Sequence, residues 1–331
     1  MAETLPNIVA VGAGRMGRGI AHVFAFAGYP VTILDLKPRA AADAAKLAAE
    51  ARDEIQSNLK FLSSLGVLTE AQIGRVMALV STAGADESER VLLQADFVFE
   101  GVPEIIEAKR DALGRIGRLT RPDTVIASTT STFLSTMLAD FVEPPTRFLN
   151  AHFLNPAYLI PLVEVSAAAQ TDEAHTARMV ALLTAAGKAP VRCKASPGYI
   201  IPRLQSLFCS EAARMVHEGV ATAEDIDRAV MVGFGPRYTT MGPIEFIDWG
   251  GVDILYYAGH YLAKALDSPR HAPPPEIDQM MKDGRTGMRE GRGYYDFTKM
   301  DVAKYQQEKM TRFVQLLRTI DLLPPCRVAA K

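Results

Sequence analysis

Ile8-Val9-Ala10-Val11-Gly12-Ala13-Gly14-Arg15-Met16-Gly17 decides the fold of this chain. The first four residues form a short apolar run, as a strand buried on both faces requires. They lead directly into a G-x-G-x-x-G loop, and the following stretch to Ala27 is compatible with a helix that Gly28 can end. A second apolar run, Val31-Thr32-Ile33-Leu34, closes on Asp35. Each part of this unit has a mechanical task. Gly12 permits the tight turn, Gly14 lets the backbone approach a pyrophosphate, and Gly17 lets helix and strand pack closely. The helix N-terminus offers free N–H groups to phosphates. Asp35 can accept hydrogen bonds from the adenine ribose hydroxyls and would repel a 2′-phosphate, which favours NAD over NADP. Gly12, Gly14, Arg15, Met16, Gly17 and Asp35 are therefore candidate cofactor contacts. A lone glycine fingerprint is weak evidence. Its place between strand and helix, with an acid about 20 residues on, is what carries the reading.

Further strand-like runs, Asp96-Phe97-Val98-Phe99-Glu100 and Thr124-Val125-Ile126-Ala127, lead into Gly101-Val102-Pro103-Glu104 and Ser128-Thr129-Thr130-Ser131. Ligands of doubly wound sheets gather at the carboxyl ends of strands, so Glu104 and Ser131 are placed to reach one. Ser131 reads equally as a helix N-cap. Residues 39–72 read as one long, alanine-rich helix. Near Ser196-Pro197-Gly198 the strand–helix alternation stops, and the remainder reads as helices with apolar faces, interrupted by a turn-rich break at 233–238. The expected architecture is α/β: a Rossmann-type doubly wound sheet over residues 1–195, then an all-helical C-terminal domain over 196–331.

The run Phe148 to Val165 holds His152 and, twelve residues on, Glu164. An alcohol gives up hydride readily only as its proton departs, and a histidine steadied by a carboxylate is suited to take that proton near neutral pH. A lone histidine is more often a satisfied core residue, and the other five keep that reading. The chain has 331 residues, 48% of them hydrophobic and 22% charged, with a formal net charge of −2. That suits an ordinary globular protein of two domains and gives no footing for nucleic acid or an anionic membrane. No apolar run reaches the length of a membrane span. The opening residues lack the basic stretch of a secretory signal. Cys193, Cys209 and Cys326 match neither a disulfide framework nor a metal spacing, so no metal is expected and a reducing cytoplasm is the simplest location.

The ordered set of Gly12–Gly17, Gly101-Val102-Pro103-Glu104, Ser128-Thr129-Thr130-Ser131, His152-Phe153-Leu154-Asn155-Pro156, Leu162-Val163-Glu164-Val165, Pro197-Gly198-Tyr199-Ile200, Met241-Gly242-Pro243-Ile244-Glu245 and Gly291-Arg292-Gly293-Tyr294-Tyr295 resembles the L-3-hydroxyacyl-CoA dehydrogenase family. The resemblance implies NAD as cofactor, a small-molecule substrate, a helical domain that forms a homodimer, and an active site in the cleft between the domains. It implies His152 as base, Glu164 as its orienting partner and Ser131 as the hydrogen bond to the substrate oxygen. Glu104, Lys109 and Asn155 match positions lining the cofactor site. Arg289 stands where the family tends to have a lysine beside the cofactor. Pro202 stands where the family usually has asparagine, and proline offers no side-chain hydrogen bond. The segment around Arg237 looks more like the branch of L-gulonate 3-dehydrogenase and carnitine 3-dehydrogenase, which act on free 3-hydroxy acids. Arg237 could bind a carboxylate, and reads equally as a surface or dimer-interface arginine. Three functions follow: oxidation of a short 3-hydroxyacyl-CoA, oxidation of a free 3-hydroxy acid, or NAD binding without catalysis.

Overall fold

A computed structural model describes residues 5–326; the first residues, on which part of the signal-peptide reading rests, lie outside that range. The chain divides by its internal contacts into two compact units, residues 1–208 and 209–331.

The first unit is built on an eight-stranded sheet. In chain order its elements are β1 (Ile8–Val11), α1 (Arg15–Phe26), β2 (Val31–Leu34), α2 (Ala41–Ser64), α3 (Glu70–Met77), β3 (Val80–Ala83), α4 (Ser88–Leu93), β4 (Phe97–Glu100), α5 (Ile106–Leu119), β5 (Val125–Ser128), α6 (Ser135–Ala139), β6 (Phe148–Phe153), β7 (Leu162–Ala167), α7 (Glu173–Ala185) and β8 (Ala189–Lys194). The strands lie in the order β3-β2-β1-β4-β5-β6-β7-β8. All neighbours are parallel except β6 and β7. The order reverses beside β1, the switch point at which such sheets take their ligands.

Both faces of the sheet are covered, which is why its central strands are apolar throughout rather than alternating. Ile8 and Ala10 of β1 join Phe24, Ile55, Leu59 and Phe99 in one buried layer. Val9 and Val11 join Leu92, Val98, Leu113 and Ile116 in the other. Each large apolar side chain so buried contributes roughly 1.5–3 kcal/mol.

The helix expected over residues 39–72 is two helices. Gly66 takes φ +75° and ends the first turn beyond α2, and the Thr69 N–H donates to Gln72 Oε1 at 2.7 Å to start α3. Helix propensity was uniform across the segment; the stop lies in one left-handed glycine and one capping pair. On α1, His22 is buried and stacks on Tyr158, ring centroids 4.5 Å apart. Neither of its ring nitrogens has a hydrogen-bond partner.

Helix α8 (Ile201–His217) contains the division between the units. Pro202 is its second residue, where the missing N–H would be unpaired in any case. The second unit continues with α9 (Ala223–Ala229), capped by Thr222 accepting from the Asp225 N–H. The turn-rich break expected at 233–238 is helical instead: a π-helical turn, Val230–Phe234, runs into α10 (Gly235–Thr240). Pro236 falls in the first turn of α10, where proline is tolerated. Then come α11 (Pro243–Gly250), α12 (Val252–Ala265), α13 (Pro275–Lys282) and α14 (Val302–Thr319). The Gly291–Tyr295 motif is anchored on α11. Asp248 of α11 is buried and accepts the N–H groups of Tyr294 at 3.0 Å and Tyr295 at 2.8 Å. A Cβ on Gly293 would lie 2.1 Å from that carboxylate. Among the described residues no helix is long and apolar enough to cross a membrane.

Candidate active site

The glycine loop has the geometry its spacing implies. Gly12 adopts φ +102°, and its N–H donates to Leu34 O at 2.8 Å. A Cβ there would meet Gly101 O at 2.9 Å, and one on Gly17 would meet Gly12 O at 1.8 Å. Nothing lies within 4 Å of a Cβ built on Gly14. That open space fronts the first turn of α1, which carries no acidic residue. The loop therefore leaves room for an anionic group at a helix N-terminus, the requirement of a pyrophosphate. Asp35 follows β2; it forms an ion pair with Arg39 and accepts from the Lys37 N–H at 3.2 Å.

The loop opens on a cavity of about 880 Å³. Gly12, Gly14, Arg15, Met16, Asp35, Glu104, Lys109, Ser131, His152 and Asn155 all line it. Residues at or just beyond the ends of five strands, β1, β2, β4, β5 and β6, thus converge on one space. Gly17 packs behind the loop rather than lining the cavity, and Glu164 lies behind His152.

His152 and Glu164 sit directly opposite each other in the antiparallel β6–β7 ladder. Their side chains emerge on one face, and His152 Nδ1 lies 2.8 Å from Glu164 Oε2. The other carboxylate oxygen accepts the N–H groups of Ile200 and Ile201, both at 2.8 Å, at the start of α8. Glu164 is fully buried and His152 is 7% exposed. A proton on Nδ1 donated to Glu164 leaves the Nε2 lone pair as the acceptor, the arrangement a general base needs.

Ser131 does not cap a helix: α6 begins four residues later, with Leu134 at its N-cap. The Ser131 N–H donates to Glu104 Oε1 at 2.8 Å, and Thr130 Oγ1 donates to Glu104 Oε2 at 2.9 Å. Lys109 is buried beneath, with Nζ 3.0 Å from Glu100 and 3.6 Å from Glu104. Glu100 also accepts from the Val102 N–H and the Ser128 hydroxyl. Sequence reasoning missed Glu100, though an acid closing an otherwise apolar strand was a visible signal. It missed Arg39 and Tyr199 as well; the parallel stacking of Tyr199 on His152 has no sequence signal beyond proximity to the Pro197-Gly198 turn.

Pro202 is on α8 and does not line the cavity. Arg237 and Arg289 belong to the second unit. The Arg237 guanidinium lies over the Phe246 ring at 4.5 Å from its centroid. Arg289 is largely exposed, 3.4 Å from Glu290 and 3.8 Å from Asp253.

A glycine-lined cavity at the strand ends, with His152 in its wall and Glu164 behind it, fits an NAD-dependent dehydrogenase. Comparison with known proteins is specific. Residues 7–196 match the NAD binding domain of 3-hydroxyacyl-CoA dehydrogenase, and residues 198–297 match its C-terminal domain. The chain belongs to the 3-hydroxyacyl-CoA dehydrogenase family. It is 34% identical to 3-hydroxybutyryl-CoA dehydrogenase of Mycobacterium tuberculosis over 301 residues, 90% of this chain and 100% of that protein. A 3-hydroxyacyl-CoA dehydrogenase from Archaeoglobus fulgidus has a similar structure, with TM-score 0.76 and 29% identity, covering 96% of this chain and 100% of the other. The structure of 5-formyl-3-hydroxy-2-methylpyridine 4-carboxylic acid 5-dehydrogenase, an NAD⁺-dependent dismutase, is also similar, with TM-score 0.66 and 27% identity over 96% of this chain and 99% of the other. The chain is accordingly an oxidoreductase, and its cofactor is NAD.

Proposed function

We propose that the chain reversibly oxidises the 3-hydroxyl of a short L-3-hydroxyacyl-CoA, such as 3-hydroxybutyryl-CoA, to the 3-oxoacyl-CoA. The observation that carries this reading is His152 in the wall of the glycine-lined cavity, with Glu164 hydrogen-bonded behind it. NAD, when bound, supplies the acceptor for the hydride that leaves C3. Gly12, Gly14, Arg15 and Met16 would hold its pyrophosphate, and Asp35 its adenine ribose. His152 Nε2 takes the hydroxyl proton, so that the C–O bond becomes a carbonyl as the hydride departs. Glu164 keeps the ring oriented and stabilises the imidazolium. Ser131, steadied by Glu104, hydrogen-bonds the substrate oxygen. Lys109 and Asn155 would complete the cofactor site. General base catalysis of this kind accelerates the reaction roughly 10²–10⁴-fold.

The division into an NAD-binding domain, residues 1–195, and a helical substrate and dimerisation domain, 196–331, is supported by the two family matches, which meet between 196 and 198. A homodimer is supported by the large apolar side chains that the second unit exposes, among them Met231, Ile254, Tyr257 and Tyr261, each more than 60% exposed. A cytoplasmic location is supported by the unpaired Cys193, Cys209 and Cys326.

A second reading, oxidation of a free 3-hydroxy acid, rests on Pro202 and Arg237 and on the likeness to a dehydrogenase named for a carboxylic acid. Acetoacetyl-CoA and a set of free 3-oxo and 3-hydroxy acids, assayed with NADH or NAD on the wild type, His152→Gln and Arg237→Ala, separate the two. The first reading expects acetoacetyl-CoA to be reduced, activity to fall about 10³-fold in His152→Gln, and Arg237→Ala to be close to wild type. Oxidation of a free acid that Arg237→Ala abolishes, with acetoacetyl-CoA untouched, replaces the first reading by the second.

A further inference from the structure

Tyr199 occupies a conformation that a bulky residue rarely adopts. Its φ is +46°, in the left-handed region, directly after Gly198 at φ +75°. Such a backbone persists only where the surroundings hold it, and it is found disproportionately at functional sites. The surroundings here are specific. The ring lies parallel to the His152 imidazole, interplanar angle 5°, with centroids 5.0 Å apart. The phenol donates to Thr130 O at 2.9 Å and accepts from Asn150 Nδ2 at 2.9 Å. The same Asn150 amide donates to Phe133 O at 2.9 Å. Burial pushes the phenol pKa well up, so the hydroxyl remains a proton donor across the working range.

The two handles of this side chain reach two different parts of the site. A single hydrogen bond from Nδ1 to Glu164 fixes one atom of the imidazole but leaves its plane free to tilt about that bond. A flat aromatic face against the ring removes that freedom. An aromatic face also favours the imidazolium that forms when the ring takes a proton. The hydroxyl holds the carbonyl of Thr130, the residue before Ser131, whose N–H is tied on its other side to Glu104.

We propose that Tyr199 is a positioning residue for the dehydrogenation: its ring fixes the plane of the His152 imidazole, and its hydroxyl ties the Ser131 loop to β6, so that base and substrate-binding hydroxyl move as one body. The inference rests on the assignment of His152 as base and Ser131 as substrate contact. Its two halves separate by mutation. Tyr199→Phe keeps the face and removes the tether; KM for the 3-oxoacyl substrate should rise about fivefold to tenfold with kcat within about threefold of wild type, the cost of a lost hydrogen bond. Tyr199→Leu removes both; kcat should fall about 10²-fold, as a misplacement of about 1 Å can cost.

Two readouts stand apart from turnover. NADH affinity, followed by fluorescence, should stay within about threefold of wild type in both variants. Carbethoxylation of His152 by diethyl pyrocarbonate, followed by the mass of its peptide, should be about tenfold faster in Tyr199→Leu and unchanged in Tyr199→Phe, because only the former frees the ring to tilt and present its nitrogen to the reagent. Should Tyr199→Leu not fold, Tyr199→Met fills a similar volume without a flat face and should show the same loss of kcat. Equal kcat in the phenylalanine and leucine or methionine variants, an unchanged carbethoxylation rate without the ring, or loss of NADH binding in step with kcat overturns the proposal. His152→Gln run alongside keeps the two levels apart. If it retains wild-type turnover, the base assignment is wrong; if it is inactive while Tyr199→Leu is fully active, only the positioning role is wrong.

Discussion

Replacing Glu164 by glutamine changes one atom of the site and reverses its chemistry. The glutamine side chain has the same length, and its orientation is dictated by the two N–H groups of Ile200 and Ile201, both 2.8 Å from Oε1. Two donors demand an acceptor, so the amide carbonyl takes that position and the NH₂ group faces His152. At the 2.8 Å separation of the wild-type pair the amide donates to Nδ1. The imidazole proton must then sit on Nε2, and the nitrogen facing the cavity becomes a donor that cannot accept the hydroxyl proton. The same carboxylate-to-amide exchange beside the histidine of serine proteases lowers kcat by about 10⁴-fold through the wrong tautomer. We expect a comparable loss here, about 5 kcal/mol of transition-state stabilisation at 1.36 kcal/mol per decade. The cost to folding is smaller. Charge-assisted bonds to two backbone N–H groups become neutral ones, so a loss of roughly 1–2 kcal/mol is expected, a few degrees in apparent Tm. The assay is kcat for acetoacetyl-CoA reduction at saturating NADH, alongside circular dichroism and NADH affinity. A folded variant that binds NADH and turns over within about tenfold of wild type would refute the tautomer argument.

The buried cation of Lys109, 1% exposed and 3.0 Å from the fully buried Glu100, sets up a stability test. Lys109→Met strands a buried carboxylate and should cost about 3–5 kcal/mol, whereas Glu100→Gln with Lys109→Met should recover most of it; thermal melts of wild type, single and double variants decide, and a double variant less stable than the single one contradicts the account. His22 sets up a pH test. Burial, and then the charge of Lys188, lower its pKa from 6.5 to about 4. Between those values the unfolded chain binds a proton that the folded chain does not, so stability falls as pH drops through this window, by about 3 kcal/mol in all. His22→Phe should flatten the slope of apparent Tm between pH 6.5 and 4 by about one proton; parallel curves for the two proteins would show that His22 is not its source.

The nucleotide-binding half was legible because its requirements are local. A turn that only Gly12 can make, a helix end that must stay open at Gly14 and an acid after β2 are all written within one contiguous stretch. The dyad was legible for a different reason: polar residues in an apolar run are rare, and His152 and Glu164 are two of them. The partners of these residues were not legible. That Glu164 binds the first N–H groups of α8, that Glu100 rather than solvent faces Lys109, and that Tyr199 lies on His152 all depend on contacts between distant segments. The division of the alanine-rich stretch into α2 and α3 was missed because alanine content says where a helix can continue and not where it stops. The helical turns at 230–240 were missed because Gly233, Gly235 and Pro236 read as breakers, while proline in a first helical turn breaks nothing.

The antiparallel pairing of β6 with β7 also bears on how this active site can change. The base and its carboxylate are matched by cross-strand register, His152 opposite Glu164, and not by the length of chain that joins them. Residues can therefore be gained or lost around Leu159, half exposed in that connection, while the proton-transfer apparatus stays intact. A shift of one residue in the ladder itself would send Glu164 to the other side of the sheet. The hairpin is thus a place where the connecting loop can vary while the old reaction is kept.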